Sequence, residues 1–413
     1  MKIIIFIENN QHGGLDTFCS LLLNNWPSRQ DDFVLISNSS HPGQEILQSS
    51  IKASCEFASH NIPLSWVWSI YLFGWLPVSL RRITQPFLRI LFFPLQFQTL
   101  RRLFQRYGGD QLLVLNGGFP GGETCRIANI ALASIGRKHG IHNFHNFAIK
   151  PRVGFRWFEN WIDRRLEAST SHFVSVSEVC AESLRIRETF RTSDAISYIY
   201  NGVDQKFCDD SNVPDLRKVL DIGDEPLCLI LANYESRKGH RFLFEVFNMV
   251  NKVLPDVHLV ACGGGNLDEV EAVKLLSREL APQSTIHVLN FIPNGHCLIE
   301  QADIVVISSQ EFESFGLTAA EAMFRSVPVV STNVGGLPEV IGPDGEGGFT
   351  VESNDVDGFA QHIIDLISNS DMRTNVGEQG QQRAKQLFDA NRMAKEYHNL
   401  IVSTLEAPSA EEL

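Results

Sequence analysis

The chain runs apolar from its start, Ile3-Ile4-Ile5-Phe6-Ile7, then turns polar at Glu8-Asn9-Asn10. A short apolar run without alternation predicts a strand buried on both faces, as in parallel sheets. The same pattern recurs at 33–36, 112–115, 141–144 and 173–176, and again at 227–231, 258–262, 286–289, 304–307 and 327–330. Segments of helical period, such as 18–23, lie between these runs. Strands alternating with helices predict an α/β architecture with parallel sheets. At 413 residues two domains are expected. Their boundary is placed at 197/198, before the turn Asn201-Gly202-Val203-Asp204, which reads equally as a hinge or as a ligand contact. The second domain is expected to end at 388. A final helical pattern at 389–405 follows, and 406–413 reads as a frayed tail.

Composition narrows the function. A hydrophobic fraction of 44% and a charged fraction of 20% are those of a globular protein. A net charge of −13 argues against nucleic acid as the main partner. The eight cysteines are scattered without a Cys-x-x-Cys pair, as expected of small buried side chains in a reducing compartment. The first apolar run is too short for a signal peptide, and no stretch approaches the roughly 20 apolar residues of a membrane span. A cytoplasmic protein is expected.

Residues 57–109 depart from this average. They contain no Asp or Glu, although the chain has 48 acids. They carry Arg81, Arg82, Arg89, Arg101, Arg102 and Arg106 among many aromatic residues, and prolines at 63, 77, 86 and 94 are expected to break the stretch into short pieces. Over 60–107 such a surface suits an anionic membrane interface or a lipid-linked acceptor. It equally suits a helical insertion with solvated arginines.

Candidate chemistry concentrates at 313–339. Glu313 and Glu321 flank the expected start of a helix, Phe315-Gly316-Leu317, between two buried-strand patterns. Open parallel sheets bind ligands at such a strand–loop–helix junction. The first backbone N–H groups of the helix suit a diphosphate, and the carboxylates suit sugar and ribose hydroxyls. Three other loops follow strands. His12-Gly13-Gly14-Leu15-Asp16 allows close backbone approach. Tyr234-Glu235-Ser236-Arg237-Lys238-Gly239-His240 places cations where a diphosphate would lie. Cys262-Gly263-Gly264-Gly265-Asn266 reads equally as a tight turn or as a ligand loop. Strand alternation sets His142 with Phe144 on one face, and Asn143 with His145 on the other. His142 reads as structural and His145 as the site candidate. No third metal ligand is placed nearby. Asp355-Val356-Asp357 reads as a helix opening.

Together these residues resemble the family 4 retaining glycosyltransferases, glycosyl transferases group 1. The likeness rests on Lys238-Gly239-His240, the Gly263–Gly265 turn, Ala302-Asp303, Glu313-Ser314-Phe315-Gly316, Glu321-Ala322-Met323, Pro328-Val329-Val330, Gly335-Gly336 and Pro338-Glu339. The resemblance implies the GT-B fold, two Rossmann-like doubly wound parallel-sheet domains facing a central cleft. The N-terminal domain would take the acceptor and the C-terminal domain the donor, with the last helix crossing back. It implies a nucleotide diphosphate sugar donor, a glycan or lipid-linked glycan acceptor, retention at the anomeric carbon, and neither metal nor cofactor. By the same likeness Glu313, Lys238 and His145 would be catalytic. Glu321 would hold the ribose, and Phe315, Gly316, Leu317, Gly263 and Gly264 would line the donor. Gly13 and Gly14 would give phosphate and acceptor room to meet. Where the family usually has an arginine, this chain has Asn233, and Arg237 is the candidate to replace its charge. A sugar-nucleotide epimerase or phosphorylase, and a non-catalytic sugar-nucleotide-binding partner, are the rival readings. The basic segment and the family's habits together suggest surface polysaccharide or lipopolysaccharide assembly at the inner membrane face.

Overall fold

A computed structural model describes residues 1–10, 13–137, 140–204, 213–280 and 285–406. His12 and the tail from 407 onward lie outside the described residues. The chain forms two compact units, one of Met1–Gly202 with Ala390–Leu413 and one of Val203–Asp389.

The first unit has strands β1 (Lys2–Ile7), β2 (Asp32–Asn38), β3 (Cys55–His60), β4 (Gln111–Asn116), β5 (Gly140–Phe144), β6 (Thr170–Ser175) and β7 (Ile196–Tyr198). All pair in parallel, in the order β3-β2-β1-β4-β5-β6-β7. Its helices are α1 (Gly14–Asn24), α2 (Gln44–Ser50), α3 (Ser65–Phe73), α4 (Val78–Tyr107), α5 (Glu123–Ala133), α6 (Arg156–Glu167) and α7 (Glu178–Ser183).

The second unit has β8 (Leu227–Leu231), β9 (His258–Cys262), β10 (Ile286–Leu289), β11 (Ile304–Ile307), β12 (Val329–Thr332) and β13 (Gly348–Val351), ordered β10-β9-β8-β11-β12-β13 and again parallel. Its helices are α8 (Leu216–Leu220), α9 (His240–Val253), α10 (Leu267–Leu280), α11 (Leu317–Phe324), α12 (Leu337–Ile341), α13 (Val356–Ser368) and α14 (Ser370–Leu387). The last helix, α15 (Ala390–Glu406), belongs to the first unit.

Both sheets are doubly wound, and their strands are apolar throughout because helices cover both faces. On one face of the first sheet, Phe18 and Leu22 of α1 pack with Met393, Tyr397 and Ile401 of α15. On the other, Leu100 and Phe104 of α4 pack with Ile127 and Ala131 of α5. Gly202 fits beneath α15, since a Cβ there would lie 2.5 Å from the Ala390 Cα. That contact gives the turn at 201–204 a packing role.

Two expectations need correction. First, β3, β7 and β13 were not anticipated. All three are edge strands. An edge needs no apolar run on both faces, so its sequence carries polar residues and lacks the signal of a central strand. Second, the prolines do not break 57–109 into short pieces. Pro86 and Pro94 lie inside α4, a single 30-residue helix. Proline removes one N–H donor but does not forbid helix where neighbours compensate. The Arg82 carbonyl, the acceptor that Pro86 leaves unserved, receives Arg152 Nη1 at 3.5 Å.

A buried ionic cluster joins α5, α6 and the segment before β7. Arg187, fully buried, donates to Asp163 Oδ2 at 2.6 Å, to Glu159 Oε2 at 2.9 Å and to the Ile149 carbonyl at 3.0 Å. Arg126 Nη2 reaches Asp163 Oδ1 at 2.8 Å. Two cations and two carboxylates balance, which is what lets such charges leave water.

Candidate active site

In the second sheet the strand order reverses between β8 and β11, so the loops leaving their carboxyl ends diverge and open a crevice. Those two loops carry Lys238 and Glu313.

Lys238 closes a short 3-10 turn, Ser236–Lys238, ahead of α9. The next residue, Gly239, has φ +72°, and a Cβ there would lie 2.0 Å from the Ser308 carbonyl oxygen. Only glycine permits that approach. Ser308 Oγ donates to the Lys238 carbonyl at 2.8 Å, and the Gln310 N–H donates to the Arg237 carbonyl at 2.8 Å. Glu313 is held from the other side, where the Gly336 N–H donates to its carbonyl at 2.7 Å. A Cβ on Gly335 would stand 2.1 Å from that same oxygen. These backbone contacts bring Lys238 Nζ to 2.5 Å from Glu313 Oε2, which also accepts Ser309 Oγ at 3.2 Å. Oε1 accepts no hydrogen bond among the described residues, so the carboxylate keeps an open acceptor.

Gly316, with φ +96°, caps α11. Ala319 and Ala320 N–H groups bond to its carbonyl, whereas the first N–H groups of the helix, Leu317 and Thr318, have no acceptor within the helix. They mark a positive end suited to an anion. Phe315 turns its side chain into the core, edge-on to Phe388 at 5.5 Å, leaving only its backbone for a ligand. Glu321 lies further along α11, half-buried. Burial pushes its carboxyl up to about 7, with Arg325 opposing, and among the described residues no hydrogen bond reaches that carboxyl. A desolvated carboxyl without donors is costly unless a ligand supplies them.

Arg237 is already engaged. Its Nε donates to Glu235 Oε2 at 2.6 Å, and its guanidinium stands 5.0 Å from the Phe312 ring centre. Burial opposes the Glu235 charge, but hydrogen bonds from Arg237 and Asn233 outweigh it and hold the carboxyl below its usual range. Gly263 meets a backbone demand, because a Cβ there would lie 1.8 Å from the Ala232 carbonyl oxygen. Gly264 accepts the Tyr234 N–H at 2.8 Å, which ties the loop after β9 to the loop after β8.

In the first unit, Gly13 and Gly14 follow β1, and a Cβ on either would meet nothing within 4 Å. Asp16 orders this loop, accepting Asn9 Nδ2 at 3.0 Å and the Gly13 N–H at 3.3 Å, with His41 Nε2 at 3.1 Å. His145 stands just past β5, edge-on to Phe18 at 4.4 Å. Burial pushes its imidazole down to about 3, and Nε2 is buried without a hydrogen bond. It is therefore a neutral ring at physiological pH. His142 faces the other way, 3.1 Å from Asn116 Nδ2 and packed near Phe119.

Ser308, Ser309 and Asp16 were not anticipated. The signal for the first two was present: a polar Ser-Ser-Gln directly after a buried strand.

Residues 212–383 match the glycosyl transferases group 1 family. The chain is 27% identical over 220 residues to the N-acetyl-alpha-D-glucosaminyl L-malate synthase of Bacillus anthracis, covering 53% of this chain and 56% of that protein. It is 27% identical over 180 residues to the lipopolysaccharide core biosynthesis glycosyltransferase LpsE of Rhizobium meliloti (strain 1021), covering 44% and 51%. The chain thus spans about half the length of these curated relatives. The crystal structure of Anabaena Alr3699/HepE in complex with UDP superposes over 98% of this chain and 100% of that one, with a TM-score of 0.75 at 17% identity. The fold is GT-B, and through residues 212–383 the chain belongs to the glycosyl transferases group 1 family.

Proposed function

We propose that the protein is a retaining glycosyltransferase. It moves a sugar from a nucleotide diphosphate sugar to an acceptor hydroxyl, with a lipid-linked glycan of a surface polysaccharide or lipopolysaccharide as the acceptor class. The observation that carries this reading is the Lys238–Glu313 pair at the switch point of the second sheet, beside the α11 N-terminus. As the sugar–phosphate bond breaks, negative charge grows on the departing diphosphate. Lys238 and the N–H groups of Leu317 and Thr318 would meet that charge more strongly in the transition state than before it, which lowers the barrier. These cationic groups can serve the leaving group without a metal ion. The open Oε1 of Glu313 would accept a sugar hydroxyl, and Glu321 the ribose hydroxyls. The similar HepE structure holds UDP.

One observation favours a second reading, a sugar-nucleotide-binding partner without turnover. Asn233 is uncharged and Arg237 is spent on Glu235, so Lys238 carries the diphosphate charge alone. The test separates the two. A thermal-shift screen of sugar nucleotides finds the donor, since a ligand at about 100 times its Kd adds about 2.7 kcal/mol to stability. Turnover is then measured with Lys238→Ala. A kcat lower by about a hundredfold or more is expected, as when one charge-stabilising group is removed. Undiminished kcat in that variant removes the role of Lys238. Donor binding with no turnover by the wild type selects the second reading.

A further inference from the structure

We propose that the first unit docks on an anionic lipid bilayer through a composite surface, the α3–α4 hairpin together with the loop 149–157. The hairpin presents its rings outward. At the connection between its helices Trp75 is 79% exposed, and Tyr71 is 78% exposed. The loop ends in Val153, 99% exposed, followed by the exposed Trp157. The two segments are far apart in sequence but form one face. Phe87 meets Phe155 edge-on at 4.9 Å, Arg152 Nη1 donates to the Arg82 carbonyl, and Pro86, Arg89 and Phe93 share a cleft with Arg152 and Phe158.

Charge decides the occupant. Neither 57–109 nor 149–157 contains an acid, in a chain of net charge −13. The loop adds Lys150, Arg152 and Arg156, of which Arg156 reaches Glu188 at 3.4 Å. The acids beneath the surface are buried and engaged, Glu123 by Ser65, Gln96 and Arg89, and Glu159 by Arg187. What remains outward is cationic and aromatic. A twofold contact with a second copy would set arginine against arginine. The most exposed rings stand at a helix–helix connection and a loop end, where they protrude into the solvent. Tryptophan and tyrosine favour the headgroup level of a bilayer, and arginines around them favour anionic lipid. No helix among the described residues is long and apolar enough to cross a membrane, so the contact is interfacial. The inference extends the lipid-linked acceptor proposed above without requiring it, because vesicle binding is measured with no donor present.

The test is co-sedimentation of the full chain with phosphatidylcholine vesicles, with and without phosphatidylglycerol. Binding is expected only to the anionic vesicles, and it should weaken with added salt. An arginine near such a surface contributes about fivefold, so Arg81→Glu with Arg82→Glu should lower binding at least tenfold. Val153→Asp with Trp157→Ser, which touches the loop alone, should lower it to a similar degree. Both double variants should retain the wild-type melting temperature and the donor-induced thermal shift. Failure of the wild type to pellet with anionic vesicles overturns the proposal. So does undiminished binding of the loop variant, which would return the surface to the hairpin alone. Self-association or capture of an acidic protein, lost in the same variants while vesicles do not bind, assigns the face to a protein instead.

Discussion

Glu321 illustrates how one side chain can trade stability for binding. Its carboxyl has a folded pKa of about 7 against an ordinary 4.5, because burial disfavours the charge. The folded state therefore binds more protons than the unfolded state between those values, and stability falls as pH rises through that window. Glu321→Gln removes the penalty. The variant should melt at nearly the wild-type temperature near pH 4.5 and above it at pH 8. Donor affinity should move the other way. A ribose hydroxyl donates best to the carboxylate, so the wild type binds donor more tightly as pH rises past about 7. The glutamine variant should lose about 1–3 kcal/mol of donor affinity at pH 8 and show a flat profile. Titration calorimetry across pH checks both; a pH-independent wild-type affinity would exclude the ribose role.

At the scale of elements, the site depends on glycines that let backbone meet backbone. Gly239→Ala would press a Cβ against the Ser308 carbonyl at positive φ, so the turn carrying Lys238 must shift. A cost of about 1–3 kcal/mol is expected, with loss of the donor-induced thermal shift. Denaturant unfolding measures the first and a melting screen the second. In the first unit, Arg187 ties α6 to the base of the loop 149–157. Arg187→Met would strand Glu159 and Asp163 as buried, partly unpaired carboxylates. Breaking such a network costs about 3–5 kcal/mol, so a large fall in melting temperature is expected, whereas an unchanged value would mean that water reaches the cluster.

Across the whole molecule, buried histidines set the response to acid. Burial pushes His60 and His240 down to about 4, and His142 and His145 to about 3. Each is neutral when folded and would take up a proton near 6.5 once unfolded. Their contribution is complete above about 6.5 and is lost as pH falls toward the folded values. Glu321 acts in the opposite sense over part of that range, but four groups oppose one. Melting temperature should decline steadily from pH 7 to pH 5, and a rise over that interval would contradict this balance.

Much of this was legible along the chain. Central strands are apolar on both faces whatever surrounds them, so β8, β9, β10 and β11 could be bounded from composition alone. The junction around Glu313 and Glu321 was visible for a related reason, since polar residues directly after a buried strand have few structural uses. The sequence by itself therefore determined the α/β class, the central strands and the loops that carry the chemistry. Only the tertiary structure decided the edge strands β3, β7 and β13, whose pairing on one side leaves no distinctive pattern. It also decided that Arg237 is spent on Glu235, that Lys238 reaches Glu313, and that the loop 149–157 joins the α3–α4 hairpin. Those outcomes depend on side-chain direction and on contacts between segments distant in sequence, which no local pattern encodes.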